Sequence, residues 1–378
     1  MKIFTYFRGD KVIWAIVFLL SLFSLLSVYS ATSTLAYKHQ NGNAFYYMFK
    51  HLFILSLGFV IMYLIHTVRY TLFSRISQLA LFLAVPLLAF TLLGPGINEA
   101  SRWIAIPGTG LTFQTSDFAK LALIMYLARF LSQKQDNIKD FKSAFVPIMV
   151  PIGLICGLIL PANFSTAAVL FVTSMVILFI GRINVKYILA IFASGIVVLG
   201  LFLAILSQMP NQGRLGTWKK RIENFRNPDS ENNFQVDQAK IAIATGGMLG
   251  KGPGKSTQRN FLPHPYSDFI YAFIIEEYGT IAGVFVVFLY LVLLTRGMSI
   301  LKHSDKTFGG LLAIGITFSL VFQALINMAV ATNLFPVTGQ PLPMVSMGGT
   351  SIWFTSIAIG IVLSVSRSVT ETVTDNDD

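Results

Sequence analysis

Three carboxylates stand close together in a strongly apolar part of the sequence. Asp268 lies where a polar, proline-interrupted segment gives way to an apolar run, and Glu276 and Glu277 follow about two helical turns later. Ser267 is suited to cap a helix that begins here, and the helix dipole favours a carboxylate in the first turn. Because a charge in an apolar segment is costly, these residues are functional candidates. The structural alternative is that Asp268 only caps the helix and that the glutamates pair with buried Lys or Arg.

The composition around these residues is that of a polytopic membrane protein. Of 378 residues, 54% are hydrophobic and 12% are charged, and the mean hydropathy is +0.68. Apolar runs of about twenty residues, the length that crosses a bilayer, recur nearly from end to end. We therefore predict an all-α fold with about ten transmembrane helices in a single membrane domain over residues 1–378.

The predicted spans leave one long loop, residues 207–267, between helices 7 and 8. They are, in chain order, Val12–Ala31, Phe49–His66, Leu72–Leu93, Thr115–Leu131, Ala144–Leu160, Phe164–Ile180, Tyr187–Leu206, Asp268–Thr295, Phe308–Leu334 and Val345–Val365. The polar, acidic tail, residues 370–378, is expected to be disordered. The single cysteine, Cys156, excludes an intrachain disulfide.

The charges in the loops predict the orientation. With the N-terminus in the cytoplasm, fifteen basic residues fall in cytoplasmic segments and span ends, against three in the short outer loops, Lys38, Lys50 and Arg102. Basic residues favour the cytoplasmic side. We therefore predict a multi-pass protein of the cytoplasmic (inner) membrane, with both termini in the cytoplasm and Asp268 on the outer face. The net charge of +11 suits anionic lipid and an anionic ligand better than nucleic acid, because it lies mostly in loops between spans.

A second group of charged residues begins the fourth span. Asp117 and Lys120 are three residues apart, so they share one face of a helix. Arg102 and Trp103 precede them in the same outer stretch. The pair either serves a ligand or forms a desolvated ion pair that orders the bundle.

The long loop contains two basic segments, the second of them rich in glycine. Its cationic candidates are Lys219, Lys220, Arg221, Arg226, Lys251, Lys255 and Arg259. The run from Gly246 to Thr257 looks like a P-loop, but Leu249 stands where that motif needs glycine and no strand precedes it. Between the segments, the pattern from Phe234 predicts an amphipathic helix. The loop is interpreted either as a cradle for a diphosphate or as a basic surface lying on anionic lipid headgroups.

The segment after the ninth span cannot be a regular helix. Residues 336–349 contain three prolines and three glycines. An irregular backbone at membrane depth is tolerated only where it is buried in protein or lines a wet cavity. Its hydroxyl groups, including those of Thr338, Ser346 and Ser351, suit a ligand-lined turn. A hairpin at the surface is the alternative.

Together these segments resemble the SEDS family, which includes the FtsW and RodA peptidoglycan polymerases. The resemblance rests on Leu262-Pro263, Ser267-Asp268-Phe269-Ile270, Glu276-Glu277-Tyr278-Gly279, Pro336-Val337-Thr338-Gly339 and Ser346-Met347-Gly348-Gly349. It extends from about Asn98 to Ser351, most of the chain. The sequence departs from the family pattern at His264 and Tyr266, where Glu and His are usual, and at Asp117, which replaces Glu.

The resemblance implies a peptidoglycan glycosyltransferase that polymerises lipid II into glycan strands during cell division, as FtsW does. Transfer would invert the sugar carbon and release a lipid diphosphate, and Asp268 matches the residue that the family uses in catalysis. Because a diphosphate leaves without protonation once its charge is neutralised, one base suffices. We assign substrate binding to Arg102, Asp117, Lys120, Lys251, Lys255, Arg259, Ser267, Thr338, Ser346 and Ser351.

The resemblance also implies partners and a location. They are undecaprenyl-linked glycan, a class B penicillin-binding protein transpeptidase, other divisome membrane proteins and membrane lipid, at the division septum. Three alternatives stay open: a RodA-like elongation polymerase, a lipid II flippase and a noncatalytic divisome scaffold. The sequence also leaves open whether a divalent cation, Mg²⁺ or Mn²⁺, takes part.

Overall fold

The computed structural model describes residues 8–33, 35, 43–93, 103–106, 111–208, 216, 219, 221, 223, 225, 234–262 and 266–377. The helices are α1 (Lys11–Ala31), α2 (Ala44–Thr67), α3 (Thr71–Leu93), α4 (Thr115–Gln133), α5 (Val146–Ile159), α6 (Phe164–Ile180), α7 (Val185–Gln208), α8 (Phe234–Gly246), α9 (Ile270–His303), α10 (Thr307–Ala331) and α11 (Gly349–Asp377). Two short strands, β1 (Trp103–Ile106) and β2 (Leu111–Gln114), form an antiparallel pair before α4.

Each of the ten predicted spans coincides with a helix, α1–α7 and α9–α11. Among the described residues, seven helices are long and apolar enough to cross a membrane, so the polytopic fold is confirmed, whereas the number of spans stays a prediction. The helix predicted in the long loop is confirmed as α8. The β1–β2 hairpin was not predicted, because each strand has only four residues.

α10 is the helix around which the others pack. It contacts α4, α6, α9 and α11, and every residue from Phe308 to Thr317 is buried. Small residues allow these close contacts: a Cβ atom on Gly315 would lie 2.9 Å from the side chain of Ile177 in α6. In lipid, where apolar burial gives little drive for helix association, such close packing is what holds helices together.

Two predicted spans begin later in the structure than the sequence indicated. α9 begins at Ile270 and not near Ser267, and no side chain caps it. The cause is that the carbonyl oxygens of residues 266–268 accept hydrogen bonds from other parts of the bundle instead of from the next helical turn. α11 begins at Gly349 and not at Val345, because Met344 has a positive φ of 62°, which a helix does not accommodate.

The last helix, α11, runs to Asp377. Glu371 lies 3.8 Å from Arg367, one turn back, and 3.9 Å from Arg8 at the other end of the chain. These ion pairs favour the helix where the segment from 370 onward begins. The disorder expected of residues 370–378 stays a prediction.

The predicted orientation can be tested by cysteine labelling in a Cys156→Ala background. Lys255 and Asp136 are both exposed, and loop charge places them on opposite sides of the membrane. With an impermeant maleimide applied to intact cells, Lys255→Cys should react and Asp136→Cys should react only after lysis. The reverse pattern would place Asp268 in the cytoplasm.

Candidate active site

Asp268 lies in a turn of residues 266–269 whose backbone carbonyls accept three hydrogen bonds from other segments of the chain. The hydroxyl of Ser346 donates to the carbonyl of Ser267 at 2.7 Å, and the amide of Met347 donates to the carbonyl of Tyr266 at 2.9 Å. The Ser267 hydroxyl in turn donates to Oδ1 of Asp268 at 2.9 Å. The predicted site residues Ser267, Asp268 and Ser346 are therefore brought together, and Ser267 orients the carboxylate instead of capping the helix.

The third of these hydrogen bonds comes from Asn327 of α10. Its Nδ2 donates to the carbonyl of Asp268 at 2.8 Å and to the carbonyl of Gln340 at 2.7 Å. The side chain of Gln340 reaches Thr166 near the start of α6, with Nε2 2.5 Å from Oγ1. One buried amide thus links the turn that carries Asp268 to the proline-rich segment after α10.

A cavity of about 280 Å³ lies between the start of α6, α10 and the proline-rich segment. Its polar lining includes Asn163, Arg221 and Thr338, and its remaining walls are largely apolar. Nη1 of Arg221 donates to the carbonyl of Val337 at 3.2 Å. Burial lowers the pKa of Arg221, and the negative charge of Asp268 opposes this shift. Arg221 and Asp268 therefore lie within electrostatic range of each other, with the guanidinium at the cavity wall.

Thr338, a predicted binding residue, is among the residues that line this cavity. Its Oγ1 is itself buried and has no hydrogen-bond partner among the described residues, which is unfavourable for a hydroxyl. Asn163 has a structural part as well, because its Oδ1 accepts from the amide of Thr166 at 3.3 Å and caps α6.

The predicted pair in α4 forms a buried ion pair. Nζ of Lys120 lies 2.8 Å from Oδ1 of Asp117 and 3.1 Å from Oε1 of Gln323 in α10. Nε2 of Gln323 donates to the carbonyl of Pro341 at 2.9 Å. Ser351 lines the same small cavity of about 40 Å³. The pair is therefore connected to the proline-rich segment through one glutamine, one helical turn from Asn327.

The glycine-rich run makes different contacts from those expected of an anion cradle. Lys251 Nζ lies 2.7 Å from Oε1 of the fully buried Glu276, and the amide and hydroxyl of Thr257 each donate to the same oxygen at 3.0 Å. Ser256 donates to the other oxygen of Glu276. For Glu276, the structural alternative of a pair with a lysine is confirmed. Glu277 accepts from Ser30 of α1 at 2.5 Å.

Glycines make this contact possible at a break in α9. Gly279 has φ 83° and ψ 170°, which interrupts the helix. The run then lies against the broken backbone: a Cβ on Gly250 would be 2.3 Å from the carbonyl oxygen of Glu277, and one on Gly279 would be 2.1 Å from that of Met248. We call Gly246–Gly254, Ser256 and Thr257, together with Glu276–Gly279, the glycine clamp; the exposed Lys255 is not part of it.

The structure thus divides the predicted binding residues into groups. Ser267 and Ser346 lie with Asp268, Thr338 lines the cavity beside Arg221, and Asp117, Lys120 and Ser351 surround a smaller one. Lys251 belongs to the glycine clamp, whereas Lys255 is exposed. Arg259 Nη1 donates to the carbonyl of Gly254 at 2.8 Å, within the clamp. Arg102, Lys220 and Arg226 lie outside the described residues.

Sequence reasoning missed the amides that connect these groups. Gln323 and Asn327 lie four residues apart in the otherwise apolar α10, so they share a face. Buried polar side chains in a membrane helix normally have partners or a function. That signal was present in the sequence and would have found both residues.

Comparisons with known proteins show the family to which the chain belongs. A family model described as a cell cycle protein, that of FtsW, RodA and SpoVE, matches residues 10–371. The chain belongs to this family. It is 34% identical over 368 residues to the probable peptidoglycan glycosyltransferase FtsW of Trichlorobacter lovleyi, covering 95% of this chain and 93% of that protein. It is 33% identical over 367 residues to the stage V sporulation protein E of Bacillus subtilis, covering 95% of this chain and 97% of that protein.

A solved structure gives the same fold. It belongs to work on the structural coordination of polymerization and crosslinking by a peptidoglycan synthase complex. One of its chains matches with a TM-score of 0.73 at 22% identity, covering 95% of this chain and 98% of that chain. The membrane fold of the family is therefore shared from nearly one end of the chain to the other.

The glycine clamp can be tested at Gly279. Gly279→Ala should destabilise the protein, because alanine is strained at a φ of 83° and its Cβ would meet a carbonyl oxygen at 2.1 Å. We expect a loss of at least about 2 kcal/mol, or roughly 4 °C in the Tm of purified protein. The control is Gly157→Ala in α5, where a Cβ meets nothing within 4 Å. Equal Tm values for the two variants would contradict the close approach.

Proposed function

We propose that this protein is a peptidoglycan glycosyltransferase that polymerises lipid II into glycan strands. Membership of the family and the FtsW relatives support the reaction class. The observation that carries the proposal is Asp268, which is held in a fixed turn and whose charge acts on Arg221, a residue that lines an apolar cavity. These are the parts that a transfer from a lipid diphosphate needs: a base, a cation and an apolar surface.

In the proposed reaction, Asp268 acts as the general base. A sugar hydroxyl of one substrate attacks the anomeric carbon of the other, and its proton passes to the carboxylate. The bond from that carbon to the diphosphate oxygen breaks, and the lipid diphosphate leaves with the electron pair. Attack from the opposite face inverts the carbon. Positioned proton transfer contributes about 10²–10⁴-fold to such reactions.

Arg221 is suited to the charge that develops on the leaving group. A guanidinium binds phosphate oxygens through paired hydrogen bonds, and this interaction is stronger where water is excluded. The cavity beside it has apolar walls that include Phe164, Val169 and Ile326. They suit the part of the lipid next to the diphosphate, so the donor substrate would lie with its phosphates at Arg221 and its first lipid units inside.

We also propose that a divalent cation, Mg²⁺ or Mn²⁺, takes part. Among the described residues, no three His, Cys, Asp or Glu side chains lie together. Asp268 offers one carboxylate, and Asp117 is engaged by Lys120. Mg²⁺ commonly binds one or two carboxylates together with substrate phosphates. A cation at this site would therefore be held by Asp268 together with the phosphates of the substrate, and no step is assigned to it.

For its role in the cell, we propose an FtsW-like part in division. The cytoplasmic membrane, both termini in the cytoplasm and a position at the septum follow from loop charge and from this role. A class B penicillin-binding protein would crosslink the strands, together with other divisome proteins. The synthase complex to which the fold is similar supports an arrangement in which polymerisation and crosslinking are coordinated.

Asp268→Asn tests the proposed base. The substitution keeps the shape and the backbone carbonyl that Asn327 holds, but it removes the basicity. The purified variant should fold and bind its crosslinking partner, yet polymerise labelled lipid II at least about 100-fold more slowly than wild type. Asp268→Glu should be nearly as slow, because the carboxylate moves by one methylene group.

The matched control is Asp237→Asn, a half-exposed carboxylate in the same long loop that pairs with Lys240. It should polymerise normally. Polymerisation by Asp268→Asn at a near wild-type rate would refute the mechanism. A flippase would instead move lipid II across vesicle membranes without forming glycan. A scaffold would neither move nor polymerise lipid II but would still recruit partners.

Arg221→Gln tests the leaving-group site. We expect the KM for lipid II to rise about tenfold or more, since a charge-assisted hydrogen bond to phosphate is lost. The effect of added salt on KM should become weaker, because one of the charges that salt screens is absent. Lys240→Gln removes one charge from the same loop away from the cavity and should change neither. Identical kinetics for the two variants would remove Arg221 from the site.

A further inference from the structure

A further cavity, larger than the two described above, lies at the far end of α9 from Asp268. Its volume is about 410 Å³, and it is formed by the α2–α3 connection, the α9–α10 connection and the last part of α11. The part of α9 after the break at Gly279 alone rises about 36 Å, so this end lies far from the candidate active site. The cavity therefore has no part in the proposed transfer reaction.

Every residue that lines this cavity has a polar side chain. Three are cations, Arg69, Lys306 and Arg367, and two are acids, Asp305 and Glu371. The others are hydroxyl residues, of which Tyr70 is the largest. Burial and the nearby charge of Asp305 raise the pKa of Tyr70, so its phenol stays protonated at neutral pH and can donate a hydrogen bond.

The three cations differ in how they are held. Arg367 is anchored: its Nη1 donates to the carbonyl of Thr67 at 3.1 Å, and its Nε lies 3.8 Å from Glu371. Arg8 also approaches Glu371, at 3.9 Å, which leaves that carboxylate shared between two arginines. The side chains of Arg69 and Lys306 are exposed and have no ion-pair partner within the part of the chain that the structure describes.

Separate segments of the chain bring three cations and two acids to one concave surface, which leaves an excess of one positive charge. Glu371 is shared between Arg367 and Arg8, so Arg69 and Lys306 are the cations that this surface offers to an anion. A phosphate ester has the right chemistry, because arginine binds phosphate oxygens in pairs and lysine adds a point charge. The position favours a lipid, since α2 ends at Thr67, α3 begins at Thr71 and α10 begins at Thr307. Basic pockets at the ends of membrane helices bind anionic headgroups.

We propose that this cavity is a binding site for the phosphate of an anionic phospholipid headgroup, contacted by Arg69, Lys306 and Arg367. The orientation predicted from loop charge places it in the cytoplasmic leaflet, on the opposite side of the membrane from Asp268. The bound headgroup would join α2, α3, α10 and α11 at their ends. This site is independent of the proposed transferase activity.

The test is native mass spectrometry of the purified full chain in detergent, with added phosphatidylglycerol and, separately, phosphatidylcholine. The wild type should retain phosphatidylglycerol in preference to phosphatidylcholine. The double variant Arg69→Gln with Lys306→Gln should bind phosphatidylglycerol about tenfold more weakly or worse. Because both side chains are exposed, the variant should elute as wild type does on gel filtration.

The matched control is Lys139→Gln with Lys142→Gln, which removes two exposed charges from another connection on the same predicted side. It should retain wild-type affinity. Glycerol 3-phosphate serves as a soluble phosphate competitor of phosphatidylglycerol. If it displaces the lipid at equal concentration, the site takes phosphate from solution and the lipid assignment is wrong. If it does not, the lipid assignment is supported. Equal losses in the two double variants, or no loss in either, would overturn the proposal. Arg69→Lys with Lys306 intact keeps the charge but loses the paired hydrogen bonds, so it should lose less affinity than the double variant Arg69→Gln with Lys306→Gln.

Discussion

The side-chain amide of Asn327 holds together two segments that could not otherwise stay irregular inside a membrane. It donates to the carbonyls of Asp268 and Gln340, and neither segment is helical there. A backbone carbonyl without a partner in lipid costs several kcal/mol, so an irregular segment needs side chains that replace the helical hydrogen bonds. The site can hold a carboxylate on a non-helical turn because α10 supplies those side chains.

The glycine clamp likewise supplies hydrogen bonds to backbone groups of α9 that lack helical partners. The break at Gly279 frees backbone groups, and the run from Gly246 supplies partners: the amides of Lys251 and Gly252 each donate at 2.9 Å to the carbonyls of Glu276 and Glu277. Lys251 neutralises the buried charge of Glu276. A run that resembles a phosphate-binding loop in sequence is therefore bound to carboxylate and backbone of its own chain. The cations left for a ligand are those outside the clamp, such as Arg221.

The sequence was sufficient to locate the helices and to select Asp268 as a candidate. Apolar runs of membrane length predicted each helix, but Ser267-Asp268 was expected to begin a helix, and the structure has a turn there. What could not be predicted depends on contacts between distant segments. The late start of α9 is caused by hydrogen bonds from Asn327 and Ser346, and the role of Lys251 is set by a glutamate 25 residues away. Local propensity describes neither, because both partners must first be placed by the fold.

The way in which α11 closes against the first helices has a consequence for how the protein is made. The indole of Trp353 donates to the carbonyl of Ile54, 299 residues earlier, and the hydroxyl of Ser24 donates to that of Val345, 321 residues later. α11 is also the main packing partner of α2. During synthesis, α1 and α2 therefore enter the bilayer long before the helix that completes their polar contacts exists. Assembly of the bundle is a late event. In a nascent chain that stops short of Val345, the Ser24 hydroxyl keeps its contact with Nε2 of His51 at 2.7 Å but lacks the carbonyl to which it donates in the finished bundle.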